Sequence, residues 1–182
     1  MIDAYVGLGA NLGDRLGALT AAVEWLAREP GMQLRAMSSV WDTAPVGPPQ
    51  PRYLNAVVRV GTLLTPRATL KALHLIEERL GRVRREKWGP REIDLDLLLF
   101  GWQRLEGPVE VPHPRLHERA FVLVPLCELN PMAPHPVLGK TAGELLAALP
   151  AAERAAVRRA GPLRRSELPE ADEAAPDDAK KP

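Results

Sequence analysis

The chain has a single cysteine, Cys127, which excludes an intramolecular disulfide framework and a zinc site built from several thiolates. It has no run of 18 apolar residues, so no membrane span is expected. It does not open on a basic stretch followed by an apolar one, so no secretory leader is expected either. Net charge is +1, which leaves no global field to draw nucleic acid or an anionic membrane. Aromatics make up 4% of the residues, so any that stand beside charged groups are informative. No Walker A pattern occurs. Gly7-Leu8-Gly9-Ala10-Asn11-Leu12-Gly13 comes near a dinucleotide fingerprint, but its third glycine falls one position late, and it reads as a tight strand-to-helix turn. What remains is 182 residues, 46% hydrophobic, enough for one domain with a real core in a reducing cytoplasm.

Hydrophobic spacing predicts a strand over 2–9, a helix over 15–28 and a strand over 32–42. Residues 43–52 hold four prolines and a glycine and cannot form a regular element. A strand over 53–62, a helix over 66–80 and a strand over 93–100 follow. A short strand at 104–111, helices at 116–129 and 141–149 and a weak strand at 155–160 complete the pattern. The order βαββαβ predicts an α+β, ferredoxin-like sandwich with a mostly antiparallel sheet, helices on one face and extra short C-terminal helices. The domain is expected over 1–161. Residues 162–182 have four prolines, six acids and four bases, and are expected to be a disordered tail.

Asp94 and Asp96 lie two apart on a predicted strand, so their carboxylates share a face. Like charges that close repel unless a cation neutralises them, and magnesium does so while keeping room for substrate phosphates. Just before them, residues 82–91 hold five cations and one acid around Trp88. Forked guanidiniums suit phosphate oxygens. Cations concentrated beside paired acids suit a small metal-bound polyphosphate better than nucleic acid, which calls for a wider basic surface. A module that binds RNA or a nucleotide without chemistry, and a different metal-dependent phosphotransferase or hydrolase, stay open on these residues alone.

Trp88-Gly89-Pro90-Arg91 followed by Asp94-Leu95-Asp96 closely resembles the signature of the hydroxymethyldihydropterin pyrophosphokinases. Gly9-Ala10-Asn11-Leu12-Gly13, Tyr53-Leu54-Asn55-Ala56, Gly81-Arg82-Val83-Arg84, Val111-Pro112-His113-Pro114 and Arg119-Ala120-Phe121 fall in the family's order, so the likeness spans residues 2 to about 150. The resemblance implies a monomeric enzyme that moves the terminal diphosphate of ATP onto 6-hydroxymethyl-7,8-dihydropterin in folate synthesis. It implies two magnesium ions on Asp94 and Asp96, and Arg82 and Arg91 at the phosphates. Arg84 and Trp88 would close over the site, and Glu77 would orient Arg91. His113 and Arg119 would reach the nucleotide, and Leu97, through its backbone and side chain, the adenine. Tyr53 and Phe121 would sandwich the pterin, Asn55 would read its polar edge, and Thr43, Ala44 and Val46 would offer backbone groups. The chain departs from the family's common pattern at Ala44, Lys87, Glu110 and Pro114.

Overall fold

The computed structural model describes residues 1–82 and 90–165. Arg84, Lys87 and Trp88, and the tail from residue 166, lie outside the described residues. The elements run β1 (Ile2–Ala10), α1 (Arg15–Arg28), β2 (Met32–Met37), β3 (Ser39–Thr43), β4 (Tyr53–Thr62), α2 (Pro66–Arg79), β5 (Asp94–Phe100), a 3-10 turn (Leu116–Glu118) and α3 (Ala120–Leu129). A two-strand ribbon β6 (Pro134–His135) and β7 (Lys140–Thr141), then α4 (Ala142–Ala148), α5 (Ala151–Ala155) and β8 (Arg158–Pro162), complete the described chain.

Local signals place the helix ends. The Asp14 carboxylate accepts from the Gly17 N–H at 2.9 Å and starts α1. Thr65 caps α2 through the Ala68 N–H at 3.2 Å, Pro66 takes the first turn, and Gly81 leaves it at φ 81°. Caps of this kind are worth about 1 kcal/mol each. They add to the burial of one apolar face, which on α2 is Ala72, Leu73 and Ile76.

The sheet order is β5-β1-β4-β3-β8, with β2 also on β4, and every strand pair is antiparallel. The predicted strand 32–42 is two strands, broken at Ser38. There the Ser38 hydroxyl accepts from the Val57 N–H at 2.9 Å and donates to the Ser39 carbonyl at 2.8 Å. The strand expected at 104–111 is a single bridge between Leu105 and Val111. The helix expected over 116–129 is interrupted at Arg119, whose backbone is extended (φ −116°, ψ 104°).

Two cores flank the sheet. α1 and α2 share one face, packing Leu19, Val23, Leu26, Leu73 and Ile76 onto Val6, Val58, Val60 and Leu95. α3 covers the opposite face with Val122, Leu123 and Leu126 on Tyr5, Val57, Leu98 and Leu99. The two helices of the βαββαβ unit thus share one face, as the element order predicts, and α3, one of the extra C-terminal helices, closes the other. The packed chain also passes the expected boundary at residue 161: Pro162 ends β8, Leu163 is 6% exposed in the first core, and Arg165 stands 3.7 Å from Glu24. The physical reason is the open edge of β3, whose ladder groups β8 pairs.

Candidate active site

The antiparallel register brings four segments to one end of the sheet. Gly9 lies between Asn55 on β4 and Asp94 on β5, and Gly7 lies between Val57 and Asp96. Neither glycine has a side chain, so β1 forms the floor of a trough, with carboxylates on one bank and the Asn55 amide on the other. A Cβ on Gly9 would stand 2.9 Å from Asn55 Oδ1. These two glycines are strand residues serving close approach, not turn residues. Among the glycines of that segment only Gly13 has positive φ, at 59°.

The trough is an open cleft of about 260 Å³. It is lined by Thr43, Ala44, Val46, Tyr53, Asn55, Arg91, Asp94, Asp96, His113, Arg119 and Phe121, all expected from sequence, and by Gly7, Leu8, Gly9, Ala56, Val57, Leu98 and Val122, which were not. Tyr53, Phe121 and the buried Asn55, whose amide donates to Thr43 Oγ1 at 2.6 Å, line it together with the charged groups. Ring and charge meet at Phe121, where the Arg119 guanidinium lies 5.5 Å from the ring centre. Asp94 is held by Arg82 at 2.9 Å and Arg91 at 2.6 Å, and Asp96 faces Arg119 at 3.9 Å.

The Leu97 side chain is 4% exposed and packs in the core beneath α1 and α2, as strand alternation requires with Asp94 and Asp96 on the cleft face, so its backbone is the part left to reach the adenine. A register shift opposite Tyr5 and Val6 makes Leu98 an extra residue, which borders the cleft and is itself fully buried. One expected role is corrected: Glu77 does not orient Arg91. Its Oε1 accepts from the Leu95 N–H at 2.7 Å and from the Arg82 guanidinium, while Arg91 turns to Asp94.

Burial, and then the neighbouring Asp94 charge, raises the Asp96 carboxyl to about 6 against the pull of Arg119, Arg91 and Arg82. Its side chain keeps 38% exposure through the mouth of the cleft, with protein on every other side. Burial raises Glu77 to about 7, opposed by the Leu95 N–H and Arg82. Burial and then Arg119 lower His113 to about 4. His113 Nδ1 accepts from the Arg115 N–H at 3.1 Å, so the neutral ring keeps its proton on Nε2 as a donor. Burial also raises the Tyr53 hydroxyl.

Sequence reasoning missed Asn11, reading it only as part of a turn. It is 2% exposed and joins the two halves of the site. Its Oδ1 accepts from the Arg91 N–H at 2.8 Å, and its Nδ2 donates to Gln50 Oε1 and to the Pro51 carbonyl, each at 3.0 Å. An asparagine directly after a strand that ends in glycine and alanine was the available signal.

Among the described residues no group of three His, Cys, Asp or Glu side chains converges as a metal site. Two carboxylates on one strand suit a cation that completes its shell from phosphate and water oxygens.

Residues 5–131 match the family described as 7,8-dihydro-6-hydroxymethylpterin-pyrophosphokinase (HPPK). A 2-amino-4-hydroxy-6-hydroxymethyldihydropteridine pyrophosphokinase of Methylorubrum extorquens is 46% identical over 152 residues, covering 82% of this chain and 94% of that one. The protein of the same name from Synechocystis sp. is 43% identical over 144 residues, covering 79% and 74%. In structure, the chain is similar to wild-type HPPK-DHPS of Plasmodium falciparum, with a TM-score of 0.63, 15% identity and 80% of this chain covered. It spans 44% of that longer chain, and the likeness at that identity concerns the fold.

Proposed function

The chain belongs to the 7,8-dihydro-6-hydroxymethylpterin-pyrophosphokinase family, and we propose that the trough along Gly7 and Gly9 is where its two substrates meet. The reaction is transfer of pyrophosphate from ATP to hydroxymethyldihydropterin in folate biosynthesis. The single observation that carries the site reading is the cross-strand row Asp94–Gly9–Asn55, a carboxylate and an amide facing each other across a strand without side chains.

On the amide bank, Tyr53 and Phe121 take the two faces of the pterin ring, and Asn55 with the backbone of Thr43, Ala44 and Val46 reads its polar rim. On the acidic bank, Asp94 and Asp96 would hold two magnesium ions, which would supply charge neutralisation at the phosphates. The fit rests on two carboxylates side by side on the cleft face of β5: burial and Asp94 raise the Asp96 carboxyl to about 6, and a cation there would favour its ionised form. Arg82 and Arg91 now sit on Asp94 and exchange it for phosphate oxygens when ATP enters. Glu77 keeps Arg82 in place for that exchange. His113 Nε2–H and Arg119 contact the nucleotide, and the backbone of Leu97 reaches the adenine. Arg84 and Trp88, outside the described residues, are assigned the closing of the site on resemblance alone. The pterin hydroxymethyl oxygen attacks the β-phosphorus in line and AMP leaves, so positioning and charge neutralisation supply most of the rate.

A monomer is proposed on the family resemblance alone. Among the described residues no helix is long and apolar enough to cross a membrane. We place the enzyme in the cytoplasm, with no nucleic-acid partner. Incubation with ATP, magnesium and hydroxymethyldihydropterin is expected to yield AMP. Release of ADP, or turnover independent of the pterin, would reject the reading. In the same assay Asp96→Ala is expected to lose nearly all turnover and keep its fold.

A further inference from the structure

The pterin side of the cleft has two walls on different elements. Phe121 stands on the first turn of α3, whereas Thr43 ends β3 and leads into the loop with Ala44 and Val46. Val122, Leu123 and Leu126 stick α3 to the sheet, but apolar contact has no direction. Hydrogen bonds do, and one carboxylate makes them between the two walls. Glu128 lies two helical turns beyond Phe121, on the same face of α3. It accepts from the Ser39 N–H at 3.0 Å, the Ser39 hydroxyl at 2.7 Å and the Trp41 indole N–H at 3.1 Å. Ser39 Oγ accepts in turn from Arg159 Nε on β8 at 2.9 Å. The other polar tie from the end of α3, Asn130 to the Tyr5 hydroxyl at 2.9 Å, runs to β1 and not to the strand that feeds the loop.

The break at Ser38 gives this tie its consequence. β3 is not a straight continuation of β2; its own ladder with β4 places it, Trp41 on Asn55 and Thr43 on Tyr53, so the Glu128 tie sets where α3 lies against that strand. Ser39 is the first residue after the break and is 5% exposed, and Glu128 grips it by both its backbone and its side chain. Bonds to an ionised acceptor are shorter and stronger than neutral ones.

We infer that Glu128 is a positioning residue for the pterin slot, holding α3 and its Phe121 in fixed register against β3 and the 43–46 edge. It touches no substrate. Arg159, its support through Ser39, lies beyond residues 5–131 matched by the family, so the last strand of the sheet takes part. The inference rests on the pterin assignment of this cleft.

Titration calorimetry on the full chain separates the two. Affinities for hydroxymethylpterin and for a non-hydrolysable ATP analogue with magnesium are measured on wild type, Glu128→Ala, Glu128→Gln and Ser39→Ala, alongside Tm. A 1 Å misplacement costs about 10²-fold in a reacting geometry; a slot displaced by less is expected to lose about tenfold in pterin affinity in Glu128→Ala. Nucleotide affinity is expected to change by about twofold or less. Glu128→Gln keeps the size and one acceptor oxygen and recovers most of the loss. Unchanged pterin affinity in Glu128→Ala, or equal losses for both ligands that track Tm, overturns the inference. Should Glu128→Ala not fold, Ser39→Ala decides, and unchanged pterin affinity there has the same force. A wild-type chain that binds the nucleotide and not the pterin overturns the functional reading, and this one with it.

Discussion

Gly9→Ala tests the trough most directly. The new methyl would stand 2.9 Å from Asn55 Oδ1 and 3.7 Å from Tyr53 Cδ1, and its three nearest neighbours all belong to these two side chains of the pterin bank. Ordinary contact begins at 3.4 Å, so the amide must retreat by about 0.5 Å. Asn55 is 7% exposed and bonded to Thr43 at 2.6 Å, so it has little room to move without turning away from the ring edge it reads. Overpacking of this kind costs about 1–3 kcal/mol. Borne by the complex, that is about a 5- to 150-fold loss of pterin affinity, at tenfold per 1.4 kcal/mol. Nucleotide affinity should hold. Gly7→Ala is the control: its methyl meets only the flexible Leu98 side chain, at 3.4 Å, and should cost less. Calorimetric pterin affinity within about twofold of wild type in Gly9→Ala would refute the trough.

Three further outcomes follow from the same geometry. Because His113 is lowered from 6.5 to about 4, its imidazole NMR shifts should stay flat from pH 8 to about 5, and a midpoint near 6.5 would contradict the buried neutral ring. The sign for stability follows: the contribution of His113 is whole above pH 6.5 and drains as pH falls toward about 4, so the Tm of wild type should lose more than that of His113→Gln over this range. Leu97→Ala opens a cavity under α1 and α2 and should cost about 2–5 kcal/mol in urea unfolding; unchanged stability would show that the side chain does not pack in the core. Truncation after Gly161 removes the buried Leu163 and should destabilise by about 2–4 kcal/mol, whereas truncation after Arg165 should leave Tm unchanged; equal Tm values would return the boundary to residue 161.

The chemistry was legible where it depends on local periodicity. Asp94 and Asp96 share a face on any strand, and Tyr53 and Asn55 do likewise. Apolar spacing announced α1 and α2, whose caps at Asp14 and Thr65 the structure then shows. Pairings across the sheet were less legible. The extra residue at Leu98 reflects a register shift visible only against β1. Glu77 pairs with Arg82 and not Arg91, although both arginines reach Asp94, because only packing decides which of them turns back to α2.

By itself, then, the sequence determined the main helices and strands and the paired carboxylates, because each is written in spacing a few residues long, and its ordered blocks pointed to the family. Tertiary structure alone decided that Gly7 and Gly9, within the predicted strand 2–9, form the floor of a trough, since a missing side chain matters only to what lies across the neighbouring strands. It also decided that α3 closes the second face, that β8 extends the sheet past residue 161, and that Asn11 and Glu128 join segments 39 to 89 residues apart. Such contacts depend on which surfaces meet when the sheet closes, and no local pattern carries that information.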